Sequence, residues 1–156
     1  MSLFAYQSDG DETASAEHRI LDSLTEADWK RLLTHVEQLT FQAGDYLIRA
    51  GDVDRSLFIL ISGTATVIVD TPEGERSLAT YSEGSVIGEI AFFDGAPRSA
   101  HVRTETPGSA VRVSRDKFEY LSAWEPEIAR TLLIDLGTVL ALRLRDTTRE
   151  LNALTR

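Results

Sequence analysis

Residues 87–102 read Ile87-Gly88-Glu89-Ile90-Ala91-Phe92-Phe93-Asp94-Gly95-Ala96-Pro97-Arg98-Ser99-Ala100-His101-Val102. The stretch joins a strand end to a short apolar helical turn, a loop bearing Gly95 and Pro97, and an arginine set among small and apolar neighbours. These residue types suit the gripping of a small phosphate. A carboxylate such as Glu89 accepts hydrogen bonds from sugar hydroxyls, and a guanidinium such as Arg98 forks onto phosphate oxygens and balances their charge. Ile90, Ala91 and Phe92 would open a helical turn whose free N–H groups point at an anion. The plainer alternative is a structural salt bridge between Glu89 and Arg98, tying strand to loop.

Upstream of this stretch, short apolar runs are punctuated at regular spacing by Ala43-Gly44-Asp45, Ala50-Gly51-Asp52, Ser62-Gly63 and Pro72-Glu73-Gly74, the pattern of a sandwich or barrel. Residues 56–61 and 64–69 are β-rich and flank Ser62-Gly63, which predicts a tight hairpin with glycine supplying a positive φ. A second hairpin is expected between residues 66–69 and 77–81. Further strands are expected over 85–87, 100–104 and 109–113, giving about eight. Ahead of them, residues 16–23 read as a first helix. Thr25 then caps a second helix carrying Trp29, Leu32, Leu33 and Val36 at helical spacing, with Trp29 as a core anchor.

Gly88-Glu89-Ile90-Ala91, a loop, and then Arg98-Ser99-Ala100 together resemble the phosphate-binding cassette of the cyclic nucleotide-binding domains, the family of catabolite activator proteins, kinase regulatory subunits and nucleotide-gated channels. Residues Phe41-Gln42-Ala43-Gly44-Asp45-Tyr46-Leu47-Ile48 and Gly51-Asp52 resemble that family's opening strands, so the likeness covers most of the chain. It implies a mainly β fold with flanking helices: a double-stranded β-helix, or jelly-roll-like β-roll, with N-terminal helices and a long C-terminal helix. It implies that Glu89 binds the ribose 2′-hydroxyl, that Arg98 and Ser99 bind the cyclic phosphate, and that the Ala91 N–H reaches one more phosphate oxygen. Gly88, Ile90 and Ala100 complete the cassette. The implied ligand is cAMP, with cGMP as the alternative because it can enter related pockets by flipping about its glycosidic bond. No cofactor is implied.

After Ser114 helical periodicity returns, first to about Trp124 and then in a long segment opened by Pro126, a residue suited to a first helical turn. Leu133, Gly137, Leu140, Leu144, Thr147, Leu151 and Leu154 follow spacings of four and three, the seam of a two-stranded coiled coil. Either this seam joins two copies of the chain in a parallel dimer, or the leucines pack on the body. Arg143, Arg145, Asp146, Arg149 and Glu150 fall mostly off it and read as a solvated face. In catabolite activator proteins a long helix in this place forms the dimer interface and lids the nucleotide. Residues 141–151 resemble that helix, and Thr147 and Thr148 fall where hydroxyl side chains would touch the base. Threonine is costly on an apolar seam unless its hydroxyl finds a partner.

The division expected is a leader or vector-derived scar over 1–15, the β-roll with its N-terminal helices over 16–124, and a lid or dimerisation helix over 125–156. With 156 residues, 42% of them hydrophobic, the chain suits one domain with a helical appendage. Cysteine is absent, which excludes disulfides, thiolate metal sites and a cysteine nucleophile. No apolar run approaches the roughly 20 residues that span a bilayer, and no signal-peptide pattern opens the chain, so a cytoplasmic location without membrane contact is expected.

The formal net charge of −9 disfavours direct nucleic-acid binding and makes Arg98, with Arg103 as a weaker helper, important for capturing an anion. His18, His35 and His101 are too scattered for a metal centre, and neither a Ser-His-Asp pattern nor a glycine-rich triphosphate loop is present. No catalytic or metal-binding residues are therefore assigned. Transcription factors of the catabolite activator type continue into a helix-turn-helix, whereas the sequence here stops at Arg156. A stand-alone sensor, or a module whose regulated part lies in the same or another chain, fits this equally. A degenerate module that keeps fold and helix without binding nucleotide is the rival reading.

Overall fold

The run Leu57-Phe58-Ile59-Leu60 in strand β3 (Leu57–Ser62) is buried throughout, because its two faces serve two different cores. Side chains alternate across a strand. Leu57 and Ile59 therefore join the core shared with the helices, while Phe58 and Leu60 join the core between two sheets. The computed structural model describes residues 19–155. The expected leader and His18 lie outside them.

Among the described residues eight strands form two four-stranded antiparallel sheets. Strands β1 (Glu37–Phe41), β8 (Gly108–Val113), β3 and β6 (Val86–Ile87) lie side by side in that order in one sheet. Strands β2 (Tyr46–Ile48), β7 (His101–Thr104), β4 (Ala65–Thr71) and β5 (Gly74–Tyr81) form the other. The expected β-roll is present. Phe41, Ile48, Phe58, Leu60, Ala65, Ile87, Val102 and Ala110 fill the space between the sheets.

The hairpin expected at Ser62-Gly63 is not formed, since β3 and β4 belong to different sheets. Ser62-Gly63 is instead a corner at which the chain crosses from one sheet to the other. Gly63 has φ +83°, and a Cβ there would stand 2.9 Å from the Pro107 carbonyl oxygen, so the corner packs against the turn before β8. The expected β4–β5 hairpin is real, with Thr71 opposite Gly74 across Pro72-Glu73.

The helices cover the outer face of the first sheet. Helix α1 (Glu26–Leu33) starts in a capping box in which Asp28 N–H donates to Thr25 Oγ1 and Thr25 N–H donates to Asp28 Oδ2. Trp29 and Leu32 are buried, whereas Val36 lies beyond the helix end and is only partly buried. The first helix expected over 16–23 is not seen in its described part. Leu21 has φ +61°, a left-handed conformation that interrupts a right-handed helix, and its N–H donates to Asp135 Oδ2 at 2.7 Å. Ile20, Leu21 and Leu24 are nevertheless buried, wedged into the helical core.

Helix α2 (Glu89–Asp94) follows β6, and helix α3 (Arg115–Trp124) is capped by the Ser114 side chain, which accepts from the Lys117 N–H. Helix α4 (Pro126–Leu154) buries Ile128, Ala129, Leu132, Leu136 and Val139 along one face. Of the expected seam, Leu133, Gly137, Leu144, Thr147, Leu151 and Leu154 lie exposed on another face, and Leu140 is half-buried. The two stripes are thus separate, and every residue of α4 from Leu144 to Leu154 is exposed.

Candidate functional site

Gly88 follows β6 directly and caps α2 with φ +82°. A Cβ at this position would stand 2.8 Å from Arg98 Nη1 and 2.9 Å from Ile48 Cδ1. Only glycine gives both the left-handed turn and the close approach that lets Arg98 Nη1 donate to the Gly88 carbonyl at 2.8 Å. Arg98 Nη2 donates to the Ser56 carbonyl and lies 3.6 Å from Asp54 Oδ2. Its side chain is 4% exposed, and among the described residues its Nε is buried without a hydrogen-bond partner. A buried cationic donor of this kind is satisfied by an anionic oxygen.

Electrostatics reinforce the placement. Burial pulls the Arg98 guanidinium below its ordinary pKa, while the charges of Asp54 and Glu89 act in the opposite direction. Desolvation also raises the Asp54 pKa, but hydrogen bonds from Ser56 and the charges of Arg112 and Arg98 outweigh it and hold the carboxyl below its usual value. Asp54 remains a carboxylate and Arg98 a cation across the physiological range.

A cavity of about 270 Å³ opens beside these groups. Gly88, Glu89, Ile90 and Ala91 form one wall, and Arg98, Ser99 and Ala100 form another. Ile48, Val67 and Val102, from the second sheet, supply apolar floor. The first N–H groups of α2 have no intrahelical acceptor, and the first return bond runs from Phe92 N–H to the Gly88 carbonyl. Seven of the nine residues singled out in the sequence therefore meet at one cavity.

Thr147 and Thr148 do not line it. Both are exposed on α4, and their hydroxyls donate to the Arg143 and Leu144 carbonyls at 3.0 and 2.9 Å, one turn back. This bond gives Thr147 the polar partner that its seam position requires. Arg103 is also outside the cavity, with Nη1 3.2 Å from Glu75 Oε2. His101 follows the cassette and does not line the cavity. Its Nδ1 accepts from Ala50 N–H, and its Nε2 lies 3.0 Å from Asp70 Oδ2.

Arg143 is the charged cavity residue outside the cassette stretch that the sequence reading missed. Expected on a solvated face, it instead donates from Nη1 to Glu89 Oε1 at 2.6 Å and from Nη2 to the Val86 carbonyl at 2.8 Å. Its guanidinium lies 4.8 Å from the centre of the Tyr81 ring, and both residues line the cavity. The salt bridge weighed in the sequence between Glu89 and Arg98 is thus replaced by one between Glu89 and the long helix. A signal existed: Arg143 continues the spacing of Leu132, Leu136 and Val139, the stripe that faces the body.

The "Cyclic nucleotide-binding domain" family profile matches residues 38–123. The chain belongs to the cyclic nucleotide-binding domain family. It is similar to the cAMP-activated global transcriptional regulator Vfr of Pseudomonas aeruginosa, 33% identical over 129 residues that cover 80% of this chain and 58% of that protein. It is also similar to the cAMP-dependent protein kinase regulatory subunit of Emericella nidulans, 30% identical over 102 residues, covering 65% of this chain and 24% of the relative. A crystal structure of a cyclic nucleotide-binding domain from Methylobacillus flagellatus superposes with a TM-score of 0.75 at 27% identity, covering 85% of this chain and 75% of that one. The chain spans little more than half the length of Vfr. Among the described residues no helix is long and apolar enough to cross a membrane, and no cluster of His, Asp and Glu could hold a metal ion.

Proposed function

We propose that the chain is a regulatory module that binds a 3′,5′-cyclic nucleotide, with cAMP preferred over cGMP, and passes occupancy to α4. The observation that carries this is the convergence of Glu89, Ala91, Arg98 and Ser99 on one cavity, with Arg143 of α4 bonded to Glu89 in its wall. Small-molecule pockets span roughly 300–1,000 Å³, so a cavity of about 270 Å³ favours a mononucleotide over a dinucleotide. In this reading Arg98 and Ser99 take the cyclic phosphate, the α2 N–H groups add donors, and Glu89 takes the ribose 2′-hydroxyl. The printed names of Vfr and of the kinase regulatory subunit both refer to cAMP, which supports the preference.

A ribose hydroxyl at Glu89 would share the carboxylate with Arg143, and so would alter the contact between α4 and the cassette. A ligand shifts a two-state equilibrium only through differential affinity for the states, and this shared carboxylate supplies the difference. The exposed leucine stripe of α4 is proposed to join two copies in parallel, with Thr147 and Thr148 placed near the base by that assembly or by helix movement. The regulated part lies in the same or another chain, no catalysis is assigned, and no direct nucleic-acid contact is assigned to this acidic chain.

Calorimetric titration of the full chain with cAMP and cGMP, beside Arg98→Ala, tests the proposal. Saturable binding that is lost in the variant supports it. Absence of heat and of any thermal shift in the wild type would leave a dimerisation module without nucleotide binding.

A further inference from the structure

Helix α2 has six residues, too few to hold its shape alone, so its orientation is set by what binds its ends. At its C-terminal end Gly95 N–H returns to the Ala91 carbonyl, which leaves later carbonyls needing other donors. Arg55, in the segment leading into β3, supplies them: its Nη2 donates to the Phe92 carbonyl at 3.1 Å and to the Phe93 carbonyl at 2.6 Å. Arg115 of α3 adds a second donor to Phe92 O at 3.1 Å. Cations at a helix C-terminus also oppose its partial negative charge.

The residues on either side of Arg55 hold the other half of the cassette. Asp54 lies 3.6 Å from Arg98 Nη2, and the Ser56 carbonyl accepts from the same nitrogen. Three consecutive residues thus grip both the back of α2 and the arginine across the cavity from it. We propose that Arg55 is a positioning residue that sets the front of α2 in register with Arg98, so that a cyclic phosphate meets both at once. The inference rests on the nucleotide reading above. Arg55 does not line the cavity and acts through the α2 carbonyls.

The test uses the full chain as wild type, Arg55→Met and Arg55→Lys, titrated with cAMP and with its Sp and Rp phosphorothioates. Arg55→Met, which loses both bonds to the α2 carbonyls, is expected to weaken cAMP binding by about tenfold. It is also expected to bring the Sp and Rp affinities closer together, with Arg55→Lys recovering part of both. In the ligand-free protein the Gly95 amide should exchange faster in Arg55→Met. Unchanged affinity, or weaker affinity with the Sp/Rp ratio intact, would overturn the positioning role. If Arg55→Met does not fold, the same ratio measured in Arg55→Lys decides. Failure of the wild type to bind any of the three nucleotides would defeat the nucleotide reading, while unchanged Gly95 exchange would defeat the clamp separately.

Discussion

Two arginines flank the cavity, and they are held differently. Arg98 is buried at 4% side-chain exposure, and its two terminal nitrogens are committed to the Gly88 and Ser56 carbonyls of the β-roll. Arg143 is 20% exposed, sits one residue before the fully exposed end of α4, and meets Glu89 across the cavity rim. The first belongs to the rigid frame. The second is a bond between frame and helix. Under the proposed function, the difference separates the part of the site that captures from the part that reports.

The largest expected effect lies at the frame. Arg98→Ala should weaken cAMP binding by about 2–5 kcal/mol, the usual cost of stripping one member of a buried charged pair. Calorimetry that finds equal affinities would erase the distinction between the two arginines. At the rim, Arg143→Leu should lower stability by about 1.5–3 kcal/mol by leaving Glu89, 5% exposed, without its charged donor. Urea denaturation of Arg143→Leu, Glu89→Gln and the double variant should give a coupling of about 0.5–3 kcal/mol. Strict additivity would show that the pair does not hold α4.

Further out on α4, Leu144→Glu with Leu151→Glu should convert a dimer to a monomer in light scattering. Unfolding free energy should change by no more than about 0.5 kcal/mol for each surface change, since both leucines are exposed. A monomeric wild type would remove the dimer from the account. Truncation is the poorer test when it reaches Leu132, Leu136 or Val139, because these belong to the core. The smallest effect is acid-dependent. The folded Asp54 carboxyl lies below its ordinary pKa, so its contribution to stability is present above the unfolded pKa and lost as pH falls through the folded one. Asp54→Asn should therefore narrow the stability gap between neutral pH and about pH 3, and an unaltered gap would contradict the pairing.

Short apolar runs punctuated by turn residues made a sandwich or barrel legible, and the resemblance of the cassette narrowed it to the β-roll. The corner at Ser62-Gly63 was not legible, since glycine after a β-run serves a hairpin and a sheet crossing alike. Only the pairing partners β8 and β7, far away in sequence, decide between them. Leu21 hid a break inside an apparently helical run, as its left-handed backbone is stabilised by a bond to Asp135 far down the chain. The cassette was readable because its residues are neighbours in sequence. Arg143 was not, because a charged residue on a long helix reads as solvated until its place on the body-facing stripe is counted.

The central claim is that occupancy is transmitted through the Glu89–Arg143 bond. Amide hydrogen exchange across residues 140–154, with and without saturating cAMP, measures it in the wild type and in Arg143→Leu. A ligand-dependent change in the wild type that disappears in the variant is the expected result. No change in the wild type, or an equal change in both proteins, would contradict it.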